Sequence, residues 1–172
     1  MPVPGLGYGG AIATRVILVR HAQAGDRLAG HRDLYRPLSP DGHVRAQDLA
    51  VLLAPVGPSR ILSSPATRCV QTVQPLAQNL GLEVETQPDL WEGTPTAHVL
   101  AVLTQHDEST LVACSHGDII PAVVEMMAAD GADVRGRGCE KGSIWLADHD
   151  GERWTWARYV DRSQTELPAL SN

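Results

Sequence analysis

Two histidines in this chain stand where an apolar run stops. Val16-Ile17-Leu18-Val19 leads straight into Arg20-His21, and Thr110-Leu111-Val112-Ala113-Cys114 leads into Ser115-His116-Gly117-Asp118. Aliphatic runs of this length suit strands covered on both faces, and in open α/β sheets ligands gather outside the carboxyl ends of such strands. Both histidines and Arg20 therefore belong at one crevice, where Gly117 allows the backbone to come close. Arg68 falls in the first turn of a helix opened by Ser64-Pro65. Helical side chains lean back toward the N-terminus, which aims its guanidinium at the same sheet edge.

Histidines and arginines meeting at a sheet edge admit three readings: a metal site, a nucleophile site, or an anion pocket without chemistry. The seven histidines include no HExxH and no Cys/His pair of ligand spacing, so the metal reading is the weakest and no cofactor is called for. There is no GxxxxGK[ST] phosphate loop. A cysteine phosphatase loop needs an Arg six residues after the nucleophile, and Cys69, Cys114 and Cys139 have Pro75, Ile120 and Trp145 there. Phosphoryl transfer to a histidine does fit. A neutral imidazole can attack phosphorus while guanidinium forks neutralise the phosphoryl oxygens. A leaving alkoxide would need a proton, and Glu92, in a loop after a strand, is the candidate donor. Trp91 beside it is expected to cover it with an apolar ring and favour its protonated form. The alternative for Glu92 is a solvated loop carboxylate. The polar loop 23–37 holds Arg27, Arg32 and Arg36 as further phosphate donors.

The elements that must position these groups follow from local signals. Ser39-Pro40 reads as an N-cap and first helical residue, with Val44, Leu49, Leu52 and Leu53 as the apolar face and Gly57-Pro58 as the stop. Residues 60–63 form a strand. Ser64-Pro65 repeats the capping device for a helix to about Leu80, stopped by Gly81, with Pro75 expected to kink it. A strand over 82–86, helices over 96–105 and 119–129, and a hairpin of 143–147 with 152–159 around Asp150-Gly151 complete the pattern. The alternation predicts an α/β fold of three layers: a mainly parallel sheet, helices on both faces and an antiparallel edge hairpin.

The chain has 172 residues, 43% of them hydrophobic, no Phe and a formal net charge of -6. Its length fits one domain, placed at 14–162 between tails at 1–13 and 163–172. The acidic balance argues against nucleic acid as a partner, and no apolar run is long enough to imply a membrane partner. Three unpaired cysteines, read as buried thiols, fit a reducing compartment, and the expected location is cytoplasmic. Gly5-x-Gly7-x-x-Gly10 precedes the first strand instead of following one, so the dinucleotide fingerprint is spurious.

Val19-Arg20-His21-Ala22, the segment from Ser63 to Thr72 and Cys114-Ser115-His116-Gly117-Asp118 resemble the three signature segments of the histidine phosphatase superfamily, also called phosphoglycerate-mutase-like. The resemblance runs from about Thr14 to Tyr159. It implies His21 as the nucleophile that becomes phosphohistidine. Arg20, Arg68 and Gly117 are implied as phosphate contacts, and His116 as a second histidine that stabilises the transferring group. Short length, Arg36-Pro37-Leu38-Ser39 and the Cys-Val-Gln-Thr helix look most like the SixA-type phosphohistidine phosphatases and the phosphatase domains joined to some Nudix hydrolases. Ala22 replaces the commoner Gly, Arg27 stands where mutase-type members carry an Asn, and the SixA type often lacks an acid at the place of Glu92. The implied substrate is first a phosphohistidine protein and second a small phosphorylated metabolite or nucleotide. A mutase and a non-catalytic phosphoprotein-binding module are the remaining alternatives.

Overall fold

The computed structural model describes residues 14–105 and 109–169. The tail assigned to 1–13 lies outside the described residues. Strand β1 (Thr14–Arg20) is the axis of the sheet. It pairs in parallel with β4 (Ser109–Ser115) and antiparallel with β6 (Ile144–His149). With β2 (Arg60–Ser63), β3 (Val84–Thr86), β5 (Asp133–Arg135) and β7 (Trp154–Val160), the seven strands run in the order β3-β2-β4-β1-β6-β7-β5. Pairs on the β3 side of β1 are parallel, while β6 runs antiparallel to both its neighbours.

The two-residue period of β1 divides the core. Val16 and Leu18 pack into one apolar cluster with α3 (Thr96–Thr104) and α4 (Ile119–Ala129). Ile17 and Val19 pack into another with α1 (Pro40–Leu53) and α2 (Thr67–Leu80). All four side chains are at most 1% exposed, so the strand is apolar throughout because both faces are covered. Among the described residues no helix is long and apolar enough to cross a membrane.

Several local expectations need correction. Val44 is 62% exposed, and α1 instead buries Gly42, Ala46, Leu49, Ala50 and Leu53. Ser39 caps α1 as expected, accepting from Gly42 N, but α2 begins at Thr67 and Ser64 is not its cap. Pro75 lies inside α2, which continues past it to Leu80. Cys69 and Cys114 are buried, whereas Cys139 is only partly buried. The hairpin forms, but its first strand lies inside the sheet against β1. The edge beyond β7 belongs to β5, which has one apolar residue and so gives no strand signal. In the segment after 162, Leu167 packs on the α1–α2 side of the core.

Candidate active site

Register brings the chemistry together. Arg20 pairs with Ser115, and Ser63 pairs with Cys114, so β1, β4 and β2 end at nearly one level. The next residues, His21, His116 and Ser64, share one sheet edge, and the His21 and His116 rings lie edge to face with centroids 5.5 Å apart.

His21 is 5% exposed. Its Nδ1–H donates to the carbonyl of Ala22 at 2.8 Å, which leaves the lone pair on Nε2. Burial, then the neighbouring charges of Arg68, His116 and Arg20, push its pKa down to about 3, against a smaller opposing effect of the Ala22 hydrogen bond. The ring is therefore neutral at neutral pH. A neutral imidazole with a fixed tautomer and a free Nε2 is what nucleophilic attack requires.

Arg20 points across the same edge. Its Nη1 donates to the Cys139 carbonyl at 2.5 Å. A Cβ on Gly117 would fall 2.7 Å from the Arg20 Cζ, so only glycine lets the guanidinium lie there. The Arg20 and Arg68 Nε–H groups are buried and lack a hydrogen-bond partner among the described residues. Buried donors without partners are rare and costly, and both of these belong to guanidiniums whose charges act on His21.

His116 is 1% exposed, and its Nε2 meets the Ser64 hydroxyl at 2.8 Å. The same hydroxyl accepts from the Ala66 N–H at 3.3 Å, so Ser64 ties the second histidine to the entry of α2 while Ala66 is the N-cap. Trp91 packs edge-on against His116 at 5.4 Å and lies 5.9 Å from the Arg68 Cζ. The indole is thus a wall for His116 and Arg68, and the apolar cover expected for Glu92 is not formed. Glu92 Oε1 instead accepts from Arg68 Nη2 at 2.9 Å and lies 3.2 Å from His116 Nδ1.

Arg68 has a wholly buried side chain. Its Nη1 donates to the Asp33 carbonyl at 2.9 Å, and its Nη2 is shared between Glu92 and the Asp33 carboxylate at 3.0 Å. Asp33 also accepts from Arg36 Nε at 2.8 Å and lies 3.6 Å from Arg27 Nε. Burial would raise the Asp33 pKa, but the hydrogen bond from Arg36 and the charges of Arg68, Arg36 and Arg27 hold it below the usual carboxylate range.

Arg20, His21, Arg27, Arg36, Glu92, Gly117, Asp118 and Lys141 line a cleft of about 440 Å³. Apart from Arg32, every residue assigned to the site from sequence is at this cleft or, for Arg68 and His116, in contact with Glu92 at its wall. Arg32 lines a neighbouring pocket instead. Asp33 and Lys141 are the members that sequence missed. Lys141 precedes Gly142, whose N–H donates to the carbonyls of Arg20 and His21, so a loop distant in sequence is fastened to the nucleophile strand.

The arrangement offers one nucleophilic nitrogen, two guanidiniums with unspent donors, a second histidine and a carboxylate within reach of it. Such a set can take up a phosphoryl group, spread its charge and move one proton.

The model of the histidine phosphatase superfamily (branch 1) matches residues 16–94. A protein of Mycolicibacterium smegmatis named 8-oxo-(d)GTP phosphatase is 34% identical over 147 residues, which is 80% of this chain and 45% of that protein. An uncharacterised chloroplastic protein of Arabidopsis thaliana is 27% identical over 143 residues, covering 75% of this chain and 65% of its own length. The chain thus spans about half to two thirds of the length of these relatives. A crystal structure from Agrobacterium tumefaciens assigned as the phosphohistidine phosphatase SixA superposes with a TM-score of 0.68 at 26% identity, covering 88% of this chain and 97% of that one. The matched segment carries the nucleophile strand, the Arg68 helix and Glu92, and stops short of His116: over residues 16–94 this chain matches the histidine phosphatase superfamily, and over 88% of its length it shares the fold of the A. tumefaciens structure.

Proposed function

We propose that this protein is a phosphatase that forms a phosphohistidine at His21 and acts on small phosphorylated metabolites, nucleotides among them. The observation that carries the reaction is the Nδ1–H bond of His21 to the Ala22 carbonyl, which leaves Nε2 free beside Arg20, Arg68 and His116. In the first half, Nε2 attacks phosphorus, the bond from phosphorus to the leaving oxygen breaks, and Glu92 supplies the proton that oxygen needs. In the second, water attacks the phosphohistidine, Glu92 takes its proton, and the P–N bond breaks to release phosphate. Arg68 is bound to Glu92 and Asp33 before substrate arrives. Phosphate replaces these carboxylates on the guanidinium, which releases Glu92 from Arg68 to face the leaving oxygen.

The position of Glu92 supports an oxygen leaving group, since departure from a phosphorylated imidazole makes less demand on a dedicated acid. The M. smegmatis relative, whose name specifies a nucleotide, points the same way. A phosphohistidine protein is the second reading, supported by the likeness to the A. tumefaciens SixA structure. A hydrolysis screen over nucleotides, alkyl phosphates and a phosphohistidine protein tests the order. The proposal expects nucleotides to be turned over fastest, and a clear preference for phosphohistidine protein would reverse it.

A further inference from the structure

Around the phosphoryl site there is more positive charge than one transferred group uses. Arg20, Arg68 and His116 surround His21, yet Arg27, Arg36 and Lys141 also face the cleft. The charged form of Lys141 is disfavoured, first by burial and then by Arg20, Arg36, Arg68 and Arg27, so the cations of the cleft outweigh the carboxylates of Glu92 and Asp118 that share its lining. Arg27 and Arg36 also line a second pocket of about 350 Å³ directly beside the cleft. Its walls are mixed, with Leu28, Tyr35 and Pro37 beside the carboxylates of Asp26 and Asp33. Leu28 and Tyr35 are 62% and 63% exposed, large apolar surfaces next to a cationic cleft. The pocket is held in shape from inside. Buried Arg68 donates to the Asp33 carbonyl under the turn that carries Tyr35, and Arg36 donates to Asp33 Oδ1 and to the Gly25 carbonyl.

We propose that this second pocket, walled by Arg27, Leu28, Tyr35 and Arg36, is the leaving-group subsite and that it selects nucleoside diphosphates. The proposal rests on the phosphatase reading above. The terminal phosphate lies at His21, the remaining phosphate between Arg27 and Arg36 in place of the Asp33 carboxylate that both guanidiniums now face, and the base against Leu28 and Tyr35. His21 Nε2 takes the terminal phosphoryl, the bond from its phosphorus to the bridging oxygen breaks, and the nucleoside monophosphate leaves with the proton from Glu92. Water then returns the phosphoryl as phosphate. A planar base suits an exposed tyrosine face, an inner phosphate suits two guanidinium forks, and the volume is that of a small-ligand site.

The test compares kcat/KM for GDP, GMP and phosphoramidate, whose leaving group is too small to reach the pocket, in the wild type and in Leu28→Ala/Tyr35→Ala. Wild type should prefer GDP over GMP by at least about tenfold, because GMP leaves the paired arginines without a phosphate. In the double variant the ratio of GDP to phosphoramidate efficiency should fall roughly tenfold, through KM, as one stacking face is lost. Should that variant fail to fold, Tyr35→Leu keeps the bulk and reads the same ratio. An unchanged ratio, or equal use of GMP and GDP, overturns the subsite while leaving the phosphatase intact. Failure to hydrolyse phosphoramidate or either nucleotide overturns the phosphatase reading itself, and the subsite with it.

Discussion

The guanidinium of Arg20 lies flat against Gly117, with Cζ, Nη2 and Nε 2.7, 2.8 and 2.9 Å from where a Cβ on that glycine would stand. The residue after the second histidine is thus a glycine for the sake of the arginine before the first. Gly117 is not among the glycines with positive φ, so close approach alone requires it.

Gly117→Ala should therefore behave as an arginine defect. The methyl group displaces the Arg20 guanidinium from its seat, and kcat/KM should fall roughly 10²-fold, the cost of one preorganised donor. Thermal melting should change little, because the guanidinium and not the backbone yields. Activity within a factor of about three of wild type would mean that Arg20 reaches phosphate by another route.

The depressed pKa of His21 makes a prediction about stability. In the unfolded chain this ring takes up a proton as pH falls through about 6.5, whereas in the folded protein it waits until about pH 3. Between those values the unfolded state binds more protons, so His21 makes the fold lose stability as pH falls, by at most about 1.4 kcal/mol per pH unit. His21→Asn removes that slope. Urea midpoints measured from pH 7 to pH 4 should show the wild type falling faster than the variant, and parallel curves would mean that His21 is not buried as a neutral ring.

Glu92 can be separated from a bystander by leaving group. If it supplies the proton, Glu92→Gln should cost roughly 10²–10⁴ on an alkyl phosphate and far less on p-nitrophenyl phosphate, whose phenolate departs with little help. Equal small losses on both would show that the contacts of Glu92 with Arg68 and His116 serve only to hold those side chains.

What the sequence could convey differs by residue. Arg20, His21 and His116 were legible because each follows an apolar strand directly, and Arg68 because its place in the first helical turn fixes its direction. Asp33 and Lys141 have no such context. They sit in segments without periodicity, and long-range bonds bring them to the site, from Arg68 to the Asp33 carbonyl and from the Gly142 N–H to the carbonyls of Arg20 and His21. Ser64 was misread for a related reason. Ser-Pro before a helix is a sound local capping signal, but α2 starts later, at Thr67, and the Ser64 hydroxyl bridges the Ala66 N–H and His116 across the sheet edge. In β5, pairing with β7 makes a strand of a segment whose own residues favour none.

The central claim is that phosphoryl passes through the Nε2 of His21, and trapping that intermediate tests it most directly. Wild type quenched during turnover of a radiolabelled phosphoryl donor should carry label that is lost in acid and retained in base, on the peptide containing His21, and His21→Asn should carry none. Label on another residue, or turnover by His21→Asn at more than about a hundredth of the wild-type rate, would contradict it.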